Sequence, residues 1–156
     1  MSAHASPREV AAGFWAALYD RDWPRVRGFF GPESIYFDVP TGPSTAGVGP
    51  DGIEARLRLG LEGLVGYEHR PGVVAEGPEG VVVTEHTEVW TWETGETVAL
   101  PFVSVQRVDG GIIQLWKDYW DLGTLMDAAP PAWHQRLDTA DLSWVVDVTD
   151  RLAAEG

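Results

Sequence analysis

Cysteine is absent from the 156-residue chain. That absence excludes a disulfide framework, thiolate metal sites and cysteine nucleophiles in one step. Basic residues are scarce: 11 Lys plus Arg stand against 24 Asp plus Glu, a formal net charge of -13. Such a surface repels nucleic-acid phosphates and anionic lipid, so neither nucleic acid nor a membrane is expected as a partner. The carboxylate excess by itself reads as a solvated surface rather than a function. No stretch approaches the length needed to cross a bilayer, and Met1-Ser2-Ala3-His4-Ala5-Ser6-Pro7 has neither a basic start nor an apolar run. A soluble cytoplasmic protein is the expectation. Internal repeats and low-complexity blocks are missing as well, and the length suits one domain with a well-buried core.

What the chain has in plenty is tryptophan, eight residues, and large rigid aromatics suit an apolar pocket with a few polar groups. Ser6-Pro7-Arg8-Glu9 has the form of a helix start, with Ser6 as N-cap, and Val10, Phe14, Trp15 and Leu18 follow at helical spacing. A short second helix is expected from Pro24 to Phe30, capped by Asp22 and ended by Gly31-Pro32. Ser34 to Val39 alternates as a strand, and Pro40 to Gly52 reads as a loop placed to lie over a pocket. Ile53, Leu57, Leu61 and Leu64 predict a third helix over 51–64 with Asp51 as its cap. Strands are predicted at about 67–76, 80–92, 96–108 and 112–121, divided by Gly77-Pro78-Glu79-Gly80, Glu93-Thr94-Gly95 and Asp109-Gly110-Gly111. The last three form a meander. Helices followed by antiparallel strands argue for an α+β domain over 1–127, a curved sheet wrapped around the helices with its concave side as the pocket. Residues 128–156 form an extension, read as one helix packed on the same domain.

Ionisable side chains fall on the faces of these strands in a pattern. Strand side chains alternate with period two, so Tyr36 and Asp38 share a face, as do His86 and Glu88, while Asp118 stands between Trp116 and Trp120 on a third strand. On Val81–Trp92 the even positions carry Val82, Thr84, His86, Glu88, Trp90 and Trp92, the better pocket face. Charges there are expensive unless they are paired or used. Carboxylates gathered in a dry pocket cannot all ionise cheaply, so at least one should hold its proton well above the usual value of about 4, and one acid and one base then coexist for general acid/base work. His86 is placed to bridge the carboxylates. A solvated outer face and a metal site are the competing readings; without a compact ligand motif such as HExxH, no metal is expected. His4, His69 and His134 have no partner visible in the sequence and read as surface or packing residues. The glycines around Gly47 and Gly49 lack a phosphate-loop form, and no serine stands in a nucleophile elbow.

Ile35-Tyr36-Phe37-Asp38-Val39-Pro40, Thr84-Glu85-His86-Thr87-Glu88-Val89 and Trp116-Lys117-Asp118-Tyr119-Trp120-Asp121-Leu122 together resemble the motifs of limonene-1,2-epoxide hydrolases. Those enzymes belong to the cone-shaped α+β superfamily that also holds nuclear transport factor 2, ketosteroid isomerases, scytalone dehydratase and polyketide cyclases. The resemblance runs over roughly residues 7 to 127. It implies a cofactor-independent enzyme in which a tyrosine and an asparagine help one aspartate activate water, a second aspartate protonates the epoxide oxygen, and an arginine links the two acids. Carried over, Tyr36 matches the tyrosine, Asp118 the water-activating aspartate and Glu88 the proton donor. Asp38 stands where the family has asparagine and His86 where it has arginine.

Two enzymatic readings follow from the resemblance. In the first, the enzyme opens an epoxide of a small apolar terpenoid or polyketide with water, or with a substrate hydroxyl as in a cyclase, and Trp90, Leu100, Phe102, Trp116 and Trp120 hold the substrate. In the second, Asp38 or His86 shuttles a proton in an isomerase, cyclase or dehydratase, since Asp38-Val39-Pro40-Thr41-Gly42 is loosely similar to the base segment of ketosteroid isomerases. Ser104 stands where those isomerases carry a second acid, which weakens that version. A third reading is a non-catalytic small-molecule binding module. A homodimer is expected by analogy.

Overall fold

The computed structural model describes residues 4–155. Helix α1 (Pro7–Tyr19) starts on a capping box: the Glu9 N–H donates to Ser6 Oγ at 3.2 Å and the Ser6 N–H to Glu9 Oε2 at 2.7 Å. Its buried stripe of Val10, Phe14, Trp15 and Leu18 runs along the inside of the cone. Asp22 caps the short α2 (Trp23–Arg27), which stops earlier than the sequence suggests. The chain then enters β1 (Ile35–Asp38), a 3₁₀ turn over Pro43–Thr45, the two-residue β2 (Gly47–Val48) and α3 (Gly49–Leu61).

α3 begins two residues before its expected start. Val48 stands at its N-cap without a side-chain bond, and Asp51 makes an ion pair with Arg27 at 2.6 Å instead of capping. Gly47 permits this early start, because a Cβ there would lie 2.5 Å from the carbonyl oxygen of Gly52. The first turn of α3 thus packs directly on β2.

Four long strands complete the sheet: β3 (Leu64–Glu76), β4 (Val81–Trp92), β5 (Thr97–Asp109) and β6 (Ile112–Tyr119). Spatial order is β2-β1-β6-β5-β4-β3, antiparallel throughout except that β1 runs parallel to β6. The meander therefore has four strands rather than three. α1 and α3 lie against the concave face, where Phe14, Leu18, Ile53, Leu57, Leu61, Trp90, Leu100 and Trp116 form one apolar cluster. Each such side chain contributes roughly 1.5–3 kcal/mol on burial. The expected inward face of β4 is the observed one, with Val82, Thr84, His86, Glu88, Trp90 and Trp92 all buried and Glu85 exposed between them.

Beyond β6 the chain departs from the single helix expected of its tail. Asp121 caps α4 (Leu122–Ala128), and α5 (Pro131–Asp138) and α6 (Thr149–Ala154) follow. The indole of Trp133 donates to the Gly60 carbonyl at 3.1 Å and Arg136 to that of Leu59 at 3.0 Å. Ala46 and Val146 exchange backbone bonds, and Arg151 donates to the Glu33 carbonyl. The tail is strapped across the open end of the cone.

Candidate active site

Parallel pairing of β1 with β6 sets Tyr36 beside Trp116 and Asp38 beside Asp118. All four side chains face inward. Tyr36 stacks on Trp116 with ring centroids 3.7 Å apart, which fixes its hydroxyl between the carboxylates, 3.0 Å from Asp38 Oδ1 and 3.3 Å from Asp118 Oδ2. Asp118 Oδ1 also accepts from the Ser104 hydroxyl at 2.6 Å and from the Trp116 indole at 2.5 Å, so Oδ2 keeps room for a water or a substrate atom. Asp38 is held differently. Arg56 from α3 donates to its Oδ2 at 2.7 Å and Trp120 to its Oδ1 at 2.9 Å, and the same guanidinium bonds Thr41 Oγ1 and the Thr45 carbonyl. Arg56 thus offsets part of the negative charge that Asp38 adds to the pocket.

Glu88 occupies a matching setting on β4. Trp90 donates to its Oε2 at 2.8 Å, as Trp116 does to Asp118 two residues away on its own strand, and Tyr67 donates to Oε1 at 2.9 Å. Tyr19, from the last turn of α1, reaches the same Oε1 at 3.0 Å. His86 does not touch a carboxylate. Its Nδ1 lies 3.2 Å from Tyr19 Oη and its Nε2 2.8 Å from Ser104 Oγ, while its ring packs against Trp15, Phe102 and His69. His69, stacked on Tyr19 with centroids 4.0 Å apart, is a packing residue of this aromatic cluster.

These surroundings set the proton affinities. Burial pushes Glu88 up to about 7, against the pull of its three donors. Burial and the neighbouring charge of Asp38 hold Asp118 well above the ordinary aspartate range, opposed by Ser104 and Trp116. Burial, helped by His69, drives His86 down to about 3, so its imidazole is neutral. The bridging cation that His86 would have been is not formed. Burial first, and then the adjacent carboxylates, raise Tyr19, Tyr36 and Tyr67, which stay protonated and serve as donors.

Glu88, Asp118, Tyr36 and Asp38 all border one cavity of about 410 Å³, walled mostly by apolar side chains. Of the five residues expected to hold a substrate, Trp90, Phe102, Trp116 and Trp120 line it. Leu100 does not: it shares their strand face but is 1% exposed inside the core cluster, covered where the helices press on the sheet. His86 likewise sits behind the wall. Sequence reasoning missed Tyr19, Tyr67 and Arg56, and it missed the tail, from which Trp133, Leu137, Leu142, Trp144 and Val145 close one side of the cavity. A larger open depression of about 820 Å³ lies near the start of α1 and α6. Four of its charged residues, Glu33, Arg107, Arg151 and Glu155, are paired with one another. Among the described residues, no group of three or more His, Cys, Asp or Glu side chains is arranged to hold a metal ion, and no helix is long and apolar enough to cross a membrane.

The cone of α+β structure is the fold of nuclear transport factor 2-like proteins, and an NTF2-like protein from Burkholderia pseudomallei K96243 superposes with a TM-score of 0.69 at 21% identity, over 80% of this chain and 97% of that one. Within that class, the model of the SnoaL-like domain matches residues 11–116, and the chain belongs to that family. A structure described as a SnoaL-like polyketide cyclase from Shewanella putrefaciens CN-32 is similar at 19% identity and a TM-score of 0.70, covering 78% of this chain and 94% of that one. An LEH-like epoxide hydrolase of M. tuberculosis is similar at 25% identity and a TM-score of 0.63, covering 76% and 85%. No curated protein matches the chain.

Proposed function

We propose that the chain is a cofactor-independent, epoxide hydrolase-like enzyme that opens an epoxide of a small apolar terpenoid or polyketide. The observation that carries this reading is the pair of carboxyl groups on one apolar cavity, each gripped by a tryptophan N–H and a tyrosine hydroxyl, with Glu88 holding its proton up to about 7. Asp118 takes a proton from a water held at its Oδ2 and by Tyr36, and the resulting hydroxide attacks an epoxide carbon. Glu88 delivers its proton to the oxygen released as the C–O bond breaks. One proton enters the protein at Asp118 and one leaves from Glu88, so the diol carries away the whole of the water. Arg56 offsets part of the charge by which Asp38 opposes ionisation of Asp118. With a substrate hydroxyl in place of water, the same residues close a ring.

An isomerase using Asp38 or His86 as proton shuttle is less well supported. Asp38 is committed to Arg56, Tyr36 and Trp120, and His86 does not border the cavity. The exposed outer face of the sheet, where Val103 and Tyr119 are register partners beside Ala99 and Pro101, supports a second copy of the chain as the protein partner. Asp118→Asn tests the catalytic reading: diol formation from a panel of terpenoid epoxides should fall by about 10²–10⁴, with ligand affinity, read from tryptophan quenching, unchanged. Retention of activity within about tenfold would remove Asp118 from the mechanism. No turnover by the unmodified protein, with ligands still quenching, would instead favour a binding module.

A further inference from the structure

We propose that Tyr19, His86 and Ser104 form a hydrogen-bonded chain between Glu88 and Asp118 that holds the two acids in opposite protonation states. The links are continuous: Glu88 Oε1 to Tyr19 Oη 3.0 Å, Tyr19 Oη to His86 Nδ1 3.2 Å, His86 Nε2 to Ser104 Oγ 2.8 Å and Ser104 Oγ to Asp118 Oδ1 2.6 Å. They span the gap that strand register leaves between the acids, since Asp118 is level with Ser104 and Thr84 whereas Glu88 lies opposite Leu100, four residues along β4 from Thr84. For its role in catalysis this inference rests on the proposed hydrolysis; the proton arrangement itself does not.

The opposition follows from counting hydrogens. Tyr19 and Ser104 each have one hydroxyl hydrogen, and a neutral imidazole has one N–H and one lone pair. With the proton on Glu88, Glu88 donates to Tyr19, Tyr19 to Nδ1, the Nε2–H to Ser104, and Ser104 to ionised Asp118. With the proton on Asp118, every donor reverses and the imidazole carries its hydrogen on Nδ1. If both acids were ionised, Tyr19 and Ser104 would each turn outward, and His86 would face two oxygen lone pairs with a single N–H. If both were protonated, both hydroxyls would point at His86 and one would meet the ring N–H. Each exception leaves a frustrated contact in a place where an unmade hydrogen bond is costly, because His86 is 2% and Ser104 0% exposed.

Other groups act on the same pair from every surrounding element. Tyr36 and Asp38 face Asp118 from β1, with Arg56 behind them on α3. Tyr67 faces Glu88 and His69 faces His86 from β3. None of these spans the two acids as the chain does. Tyr19, His86 and Ser104 are therefore positioning residues: they reach the reaction only through Glu88 and Asp118.

The test is a cycle of titrations that needs no substrate. Glu88→Gln fixes one end of the chain, because the Trp90 indole requires an oxygen opposite it and turns the amide N–H₂ toward Tyr19. Asp118, followed by carbon-13 NMR of its carboxyl, should then lose the upper of the two titration steps that it shares with Glu88 in the parent protein, a downshift of about one pH unit or more, and nitrogen-15 NMR should find His86 with its hydrogen on Nε2. Adding Tyr19→Phe, which deletes one oxygen, should remove most of that downshift. Ser104→Ala should do the same, and Ser104→Thr should restore it. An equal downshift with and without the Tyr19 hydroxyl would mean that the acids interact through space only and would overturn the proposal. Absence of epoxide turnover would count against hydrolysis and leave this result standing.

Discussion

Glu88→Gln is also a sharp test of how the pocket stores free energy. Burial raises the Glu88 carboxyl from 4.5 to about 7, so the folded state holds this proton more tightly than the unfolded chain does. The contribution to stability is fully present below the unfolded value, declines as pH rises between 4.5 and about 7, and is gone above the folded value. Each tenfold gain in proton affinity corresponds to about 1.36 kcal/mol, so the loss amounts to about 3 kcal/mol over that window. Glutamine mimics the protonated acid without titrating. The difference in unfolding free energy between parent and variant should therefore fall by about 3 kcal/mol from about pH 4.5 to about pH 7.5, with the variant gaining relative to the parent at the alkaline end. Urea denaturation followed by tryptophan fluorescence at half-unit pH steps measures this, since groups remote from Glu88 cancel in the difference and Asp118 enters with the shift that its own titration gives. Parallel stability profiles would refute a buried, proton-holding Glu88 and the acid role built on it.

Two further outcomes follow from named contacts. Arg56→Met leaves the Asp38 charge largely buried without its partner, and with Arg56 only 10% and Asp38 15% exposed it should cost about 3 kcal/mol at pH 7 by the same denaturation assay; a loss under about 0.5 kcal/mol would mean that solvent already screens the pair. Trp144→Ala removes an aromatic wall of the cavity contributed by the tail. Roughly 50 Å² of lost apolar contact at about 25 cal/mol per Å² should weaken binding of an apolar ligand by about tenfold in fluorescence titration, and an unchanged affinity would remove the tail from the binding site.

Legibility in the sequence tracks distance along the chain. The alternation of β4, the capping box at Ser6 and the turns that separate the long strands depend on neighbours in sequence, and each appears where the residues predict it. Tyr36, Asp38 and Asp118 are legible as inward-facing because strand parity alone decides that. What parity cannot give is depth, and Leu100 shows the consequence: it has the parity of Phe102 but lies under the helices rather than on the cavity wall. Tyr19 and Arg56 escape a sequence reading because their reach depends on where α1 and α3 dock. The one available signal is an arginine three residues after Ile53, close to the apolar stripe of its helix. His86 shows how composition misleads about charge. A histidine among acids suggests a cation, yet its actual neighbours are aromatic rings and hydroxyls, and burial keeps it neutral. The tail has weak apolar periodicity over short segments, and its strapping comes from backbone bonds to Pro43 and Ala46 that no local pattern encodes.

Hydrolysis by activated water is the central claim, and oxygen-18 labelling tests it most directly. Incubation of a terpenoid epoxide with the protein in H₂¹⁸O, under single-turnover conditions with mass spectrometry of the product, should give a diol carrying one labelled oxygen. Either unlabelled outcome would contradict water as the nucleophile: an unlabelled diol would make a carboxylate the attacking group, and an unlabelled product isomeric with the substrate would assign the pocket to ring closure or isomerisation.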